Sequence, residues 1–429
     1  MRQRGLNKYI LFLVSIFLVL CAISDALGSG FAVYTQGASS LGQGAATIAH
    51  LDDPSAIFFN PALINKLDGT QVELGTTLLF PSRKFKSDAT GLTFKAESDV
   101  LYPSTLFITH KFNDKISAGL GIFNPFGLSN KWGNDWEGRY ITTNAKMTTY
   151  NINPVVSYQI TPHIAFAAGL DLLLVDATLE NRLNLSPFGL PDAGQKFKGD
   201  TTGVGYNFGI LLDPHKDISI GASYRSKIKV NIDGNASFGL PAGTPPPISS
   251  LFPNTSGDTD ITLPQQVHVG IYYKGFEPLT LEAGLRWEGW SSYDQLKINF
   301  DQPVAGSTTS ITPKDWKDTY SVMFGARYQF NNTIALLAGY LYSGNPVPDH
   351  TFEPSIPDAN THLFCIGTDI KYKKLKIDFT YGYQKLQNRK KNNSIDDNPF
   401  DGVLNPLTSA NGVYKSDIHM FGVSLTYKF

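Results

Sequence analysis

Cysteine is nearly absent from this chain of 429 residues: Cys21 and Cys365 are the only two, and Cys21 falls in the first apolar stretch. A chain processed behind that stretch keeps one thiol, which excludes an internal disulfide and a cysteine-built metal cluster. Charge is also scarce. Asp, Glu, Lys and Arg make up 17% and balance to −1, so no basic footprint points to nucleic acid. No Gly-x-Ser-x-Gly, His-x-Ser, His-Glu-x-x-His or phosphate-loop pattern occurs, and the eight histidines are scattered. An enzymatic centre is therefore not expected, and neither is a cofactor or a metal. After residue 23 no apolar run approaches a spanning helix, so any membrane insertion must use strands.

What the chain has is a start signal, a plug-like segment and strands. Arg2, Arg4 and Lys8 precede the apolar run 9–23, and small residues follow at Ser24, Ala26 and Gly28. That order describes a secretory signal peptide over 1–28, cleaved after Ala26 or Gly28. A membrane anchor is the competing reading, and the run is short for one. Leu18-Val-Leu-Cys21 lacks the small residue a lipidated cysteine needs before it.

From Gly69 onward alternation dominates. Leu375, Ile377, Phe379, Tyr381 and Tyr383 share one face, and Lys376, Asp378, Thr380, Gly382 and Gln384 share the other. Leu279 to Glu288 and Tyr320 to Phe330 repeat the pattern. A period of two assigns each set to one surface of a sheet. A soluble antiparallel sheet alternates as well. Here, however, the apolar face is rich in Tyr, Phe and Trp near strand ends, as interfacial girdles require. The other face carries glycine and ionisable residues, which suits a wet lumen. The slightly negative mean hydropathy, −0.13, fits a barrel whose two faces cancel.

Connections alternate in length. Short ones lie at 113–115, 161–163, 213–217, 275–278, 331–332 and near Lys373. Long ones lie near 81–100, 128–141, 183–198, 234–260, 301–313, 347–359 and 392–411. Short periplasmic turns and long outer loops are the outer-membrane pattern. The expectation is all-β: a transmembrane antiparallel barrel of about fourteen strands over 70–429, in the outer membrane of a Gram-negative bacterium. The last strand, Phe421 to Phe429, puts Phe421, Val423, Leu425, Tyr427 and Phe429 on one face. It looks like the terminal signal read by the barrel assembly machinery during biogenesis.

Between signal and barrel, residues 29–69 show neither strand alternation nor a long helical stripe. They are small-residue-rich, then acidic at Asp52-Asp53, then aromatic, and reach Asn60-Pro61-Ala62. This reads as an N-terminal hatch, or plug, with Asn60-Pro61-Ala62 as a rigid turn: proline fixes φ and asparagine bonds neighbouring backbone. An ordinary loop turn is the alternative.

Four places resemble the FadL-type family of outer-membrane transporters for hydrophobic compounds. They are Ser29 to Gly42, Asp52-Asp53 leading into Asn60-Pro61-Ala62, Phe123-Asn-Pro-Phe-Gly-Leu128 with Trp132, and Trp136-Glu-Gly-Arg-Tyr140 leading into Asn151-Ile-Asn-Pro154. The motifs cover about the first third of the mature chain, and the remainder matches in architecture alone. The resemblance implies a monomeric barrel closed by the hatch, with outer-membrane lipid around it. A long-chain fatty acid or other hydrophobic molecule would be captured outside, held in an apolar pocket, and released sideways where the third strand kinks inward. It also implies that Phe31 reaches the pocket and is displaced by ligand, and that capture occurs between the third and fourth long loops.

The residues permit these roles without deciding them. Asn124, Pro125, Phe126 and Gly127 fall late in a third strand read as 116–127. Proline removes a ladder donor there, so the site is either a lateral opening or simply the strand's end. Phe188, Leu190, Phe238, Leu240, Leu251 and Phe252 are apolar residues on outer loops, and line either a capture groove or the loops' own cores. Arg225, Lys227 and Lys229 alternate along one strand, where one pairs with a ligand carboxylate or all three are solvated lumen wall. A general or small-solute porin, or an adhesin or phage-receptor barrel, remains the alternative.

Overall fold

The computed structural model describes residues 30–396 and 405–429. The expected signal peptide, with Cys21, and the middle of the last long loop lie outside the described residues. Among the described residues no helix is long and apolar enough to cross a membrane.

The alternating segments form fourteen strands, each antiparallel to the next. They are β1 Thr70–Ser87, β2 Ser104–Lys111, β3 Ile116–Phe123, β4 Asn144–Thr161, β5 Ile164–Leu183, β6 Ala193–His215 and β7 Ile218–Arg225. There follow β8 Gln266–Phe276, β9 Leu279–Glu288, β10 Thr319–Gln329, β11 Ile334–Ser343, β12 Thr361–Tyr372, β13 Leu375–Leu386 and β14 Gly412–Lys428. β14 pairs with β1 from Gln71↔Lys428 to Ser87↔Gly412, which closes the barrel between its first and last strands.

The barrel is inside out relative to a soluble protein. Along β9, Glu282, Arg286 and Glu288 are buried while Leu285 faces outward. Tyr320, Tyr328, Phe364, Phe379, Phe421 and Val423 stand exposed on the outer wall. An apolar outer band with aromatic ends is what hydrocarbon selects.

At the short-turn end the lumen keeps a cavity of about 770 Å³ lined by His50, Asp52, Lys66, Lys371 and Lys376 among others, in keeping with the wet lumen read from the sequence. Elsewhere residues 30–69 fill the barrel. They form two short helices, α1 Ala38–Gly42 and α2 Ala56–Phe59, and a 3-10 turn, Pro61–Lys66. Nearly every residue from Phe31 to Asn65 is buried. The inward glycines follow from this packing rather than from water. A Cβ on Gly221 would come within 2.1 Å of the Ile48 carbonyl oxygen, and one on Gly339 within 2.0 Å of the Gly44 nitrogen. Only glycine lets the hatch backbone lie directly on the wall.

A second departure is at the long-loop end. Much of the expected loops 234–260 and 301–313 is sheet: Ile228–Gly239, Thr255–Leu263, Gln295–Val304 and Ser307–Pro313 extend the wall beyond β6. Their Ser, Thr and Asp content reads as loop, but the period of two persists: Thr255, Gly257, Thr259, Ile261 and Leu263 are buried and alternate with less buried neighbours.

Candidate functional site

The hatch is tied to the wall by buried polar groups. Asn60 caps the 3-10 turn, its Oδ1 accepting from Ala62 N at 3.1 Å. Its Nδ2 donates to the carbonyls of Ile48 (2.9 Å) and Ile210 (3.0 Å), so one side chain joins two hatch segments and the wall. Pro61 supplies the fixed φ at the first helical position. Glu282 of β9 receives the N–H groups of Ile48, Ala49 (2.8 Å) and His50 (3.1 Å). Asp52 and Asp53 meet Lys376 of β13 at 3.1 and 2.8 Å, and Asp52 also pairs with Lys371 and Arg327. Asp369 and Asp378 complete this cluster around Lys376, at 3.8 and 3.4 Å.

The third strand is interrupted. β3 pairs with β4 to Phe123↔Asn151, and pairing resumes at Gly127↔Thr148 with the register displaced by one residue. The strand read as 116–127 is thus β3 plus a separate segment, Gly127–Lys131, because Pro125 cannot donate to the ladder. Pairing with β2 stops at Leu106↔Ile122. Residues 96–103 instead follow β1, with Leu79 and Leu101 exchanging main-chain bonds at 2.7 and 3.1 Å. A seam results. At its base Ser104 N donates to Asn124 Oδ1 (3.2 Å), and at its rim Glu97 N donates to the Lys131 carbonyl (2.8 Å). Between those points the described residues show no main-chain hydrogen bond across it.

The start of the hatch lies behind this seam. Val33 N donates to the Pro125 carbonyl and Gly127 N to the Phe31 carbonyl, both at 2.9 Å. Groups left without ladder partners at the break are caught by side chains: Gln36 Nε2 donates to Asn124 O (2.6 Å), and Phe126 N to Thr149 Oγ1 (3.1 Å). A cavity of about 140 Å³ remains there, bounded by Phe31, Val33, Leu79, Leu101, Leu128 and Arg83 among others.

Phe31 and Phe126 belong to one aromatic box. The Phe31 ring is 4.6 Å from Trp290, 5.6 Å from Trp316 and 6.2 Å from both Tyr293 and Phe126. Loop 289–318 supplies three of these rings. Loop 344–360 folds inward over the hatch start, where Asp358 Oδ2 accepts Gly30 N at 3.0 Å. Burial pushes the Asp358 carboxyl up to about 7, although N–H donors from Ala359 and Gly30 and the charge of Arg389 pull it down. The same loop is fastened by the buried Lys314–Glu353 pair. Burial opposes both charges there, yet their attraction holds Glu353 below its ordinary range and Lys314 above.

The outer apolar residues are brought together in part. Phe238, Leu240 and Phe252 pack with Phe197 and Phe300, and the Phe238 and Phe252 rings are 5.8 Å apart. Phe188 sits on a separate 3-10 turn, Ser186–Phe188, half exposed and outside that cluster; Leu190 follows that turn. Leu251 is exposed.

The cationic trio is split. Arg225 faces inward, but Asp171 takes its guanidinium, which also lies over the Phe123 ring at 5.3 Å. Lys227 and Lys229 point the other way and are exposed, Lys229 reaching Asp260 at 3.4 Å. The reason is a change of parity. Odd residues face inward up to Arg225, and after the break at Ser226-Lys227 the even residues Ile228, Val230 and Ile232 do. The lumen-wall reading therefore fails for both lysines.

Sequence reasoning missed Trp290, Tyr293, Trp316, Arg83 and Asp358. A loop carrying two tryptophans and a tyrosine was the one available signal. Two of the family-like motifs gain a structural reason. Trp132 and Trp136 stack at 4.5 Å, and Arg139 and Tyr140 both meet Asp192 at 2.8 Å. Asn151 Nδ2 donates to Asp171 at 2.6 Å.

A family model described as outer membrane protein transport protein (OMPP1/FadL/TodX) matches residues 19–429. In sequence the chain is similar to a putative outer membrane protein of Neisseria meningitidis, 24% identical with 100% of both chains covered. It is also similar to the long-chain fatty acid transport protein of Escherichia coli, 24% identical over 90% of this chain and 95% of that one. In structure it is similar to a FadL homologue of Pseudomonas aeruginosa, with TM-score 0.83 at 20% identity, covering 94% of this chain and 100% of the other. The toluene transporter TodX of P. putida aligns with TM-score 0.71 at 18% identity, covering 94% and 99%.

Proposed function

The chain belongs to the outer membrane protein transport family (OMPP1/FadL/TodX), and from that premise we propose that it carries hydrophobic compounds passively into the outer membrane, with release through the seam in the third strand. Ligand is captured at the outer loops around Phe238, Leu240 and Phe252. It passes the aromatic box, displaces Phe31, and leaves where Asn124 to Gly127 breaks the wall. The observation that supports this is the interrupted pairing with the hatch start lying in the gap. Unpaired backbone at membrane depth is tolerated only where it borders protein or a cavity. A porin is disfavoured because the lumen is packed by the hatch.

Relatives named for long-chain fatty acids and for toluene set the two cargo classes to test. A bacterial host lacking its own importer would be given labelled oleate and labelled toluene. It would express either the intact chain or one with 124–127 rebuilt as regular strand. Uptake of one cargo by the intact chain, lost in the rebuilt one, is expected. Equal uptake by both would exclude exit through the seam.

Phe31 gives a second test. An edge-to-face ring pair contributes about 0.5–1.5 kcal/mol, and several such pairs must be undone to move this ring. Phe31→Ala should therefore bind ligand at least about tenfold more tightly, since 1.4 kcal/mol corresponds to tenfold. The ligand-dependent change in tryptophan fluorescence should be lost as well. Unchanged affinity and fluorescence response would remove Phe31 from the ligand's path.

A further inference from the structure

One side chain at the seam differs from its counterparts. The described residues include seven arginines, and five face a carboxylate: Arg139 with Asp192, Arg225 with Asp171, Arg286 with Glu288, Arg327 with Asp369 and Arg389 with Asp349. Arg182 lies at the outer loops and donates to the Asp192 carbonyl. Among the described residues Arg83 has no ion-pair partner, although it points inward from β1, between Leu79 and Phe85 on the same face. Its NH1 donates to the Ser129 carbonyl at 2.8 Å. Ser129 belongs to the segment beyond the break, so this bond spans the seam. Asp358 acts on Arg83 electrostatically, but its oxygens already accept the N–H groups of Gly30 and Ala359.

The surroundings suit a molecule with one anionic end. Arg83 lines the seam cavity together with Leu79, Leu101, Leu128, Ile418 and Met420. A space of 140 Å³ holds about five water-sized groups, enough for a carboxylate and the first carbons of a chain.

We propose that Arg83 is an anion-reading latch: the carboxylate of a long-chain amphiphile takes its guanidinium from the Ser129 carbonyl, and the seam between Leu101 and Gly127–Ser129 loosens. This rests on exit through the seam as proposed above. The exchange is favourable because a guanidinium binds a carboxylate through two charge-assisted bonds, against one bond to a neutral carbonyl. Losing that bond removes a link across a stretch of wall that has no ladder of its own. A neutral hydrocarbon offers Arg83 nothing, so the latch favours anionic amphiphiles over neutral molecules of similar length.

The test compares oleate with methyl oleate, which share a chain and differ in charge. Purified full-length mature protein would be titrated with each, and uptake of labelled oleate and labelled toluene measured in the importer-deficient host. Arg83→Gln should weaken oleate binding and slow oleate uptake at least tenfold. Methyl oleate binding should be unchanged, and toluene uptake unchanged or faster. Arg83→Lys should restore part of the oleate binding. Equal losses for charged and neutral ligands, or no loss for oleate, would overturn the latch. Should Arg83→Gln fail to assemble, equal affinity of the intact protein for the two ligands overturns it and a preference for oleate supports it. An intact protein that imports neither cargo overturns the transport reading instead, and the two binding affinities still decide the latch.

Discussion

Replacing Lys376 by methionine should turn a closed barrel into a leaking one. Lys376 is the hub of the lower hatch anchor: its ammonium lies 2.8 Å from Asp53, 3.1 Å from Asp52, 3.4 Å from Asp378 and 3.8 Å from Asp369. Methionine keeps the length and removes the charge. Asp52, Asp53, Asp369 and Asp378 are then left facing one another, with buried Glu73 beside Asp53, and among the described residues Arg327 and Lys371 remain to compensate. Removing one partner of a buried ion cluster costs about 3–5 kcal/mol, because the other charges remain buried. Spent on hatch detachment, about 3 kcal/mol raises the detached population roughly a hundredfold. In planar bilayers the intact protein should be nearly silent, and Lys376→Met should open to large, noisy currents. A heat-modifiability gel would confirm that the barrel itself has assembled. Adding Asp53→Asn removes one uncompensated charge and should partly restore closure, a coupling expected of residues in one network. A silent Lys376→Met barrel would mean that Glu282 and Asn60 hold the hatch without this cluster.

How much of this was legible follows from the range of each signal. Alternation is local, so β13 could be read from Leu375 to Gln384 without knowing its neighbours. The hatch was legible as a stretch in which alternation fails. The break in β3 was visible because Pro125 acts on its own backbone, wherever the strand lies in the fold. Contacts between distant residues left no such trace. Arg225 is 54 positions from Asp171, and nothing in either segment announces their pairing. Lys227 and Lys229 were misplaced because a two-residue break shifts parity without changing composition. The aromatic box joins Phe31 to Trp290 and Trp316, whose loop has no period to read. Lumenal glycine suggested solvent; the same glycines admit the hatch backbone, a fact visible only once Ile48 lies against Gly221.

Locking the seam should abolish uptake while leaving the barrel intact. Glu97 and Lys131 face each other at its rim, joined by a main-chain bond of 2.8 Å and an exposed side-chain pair at 2.6 Å. Backbones this close lie within a disulfide's ordinary reach. Cys365 is the one free thiol among the described residues and is buried, so a Glu97→Cys/Lys131→Cys pair has no competing partner at the rim. The exposed ion pair it replaces contributes at most about 1 kcal/mol, so the reduced variant should transport normally. Oxidation then ties residues 96–103, held on β1, to the segment beyond the break. Exit that requires these two edges to part should fall at least about tenfold, since a covalent bond does not open on the transport timescale. Reduction should restore uptake, and each single cysteine should be without effect. Tryptophan fluorescence should still report ligand reaching the box near Phe31, which would place the block after binding. If the oxidised variant transports at the reduced rate, cargo leaves by another route, and the break at Pro125 serves only to seat the hatch.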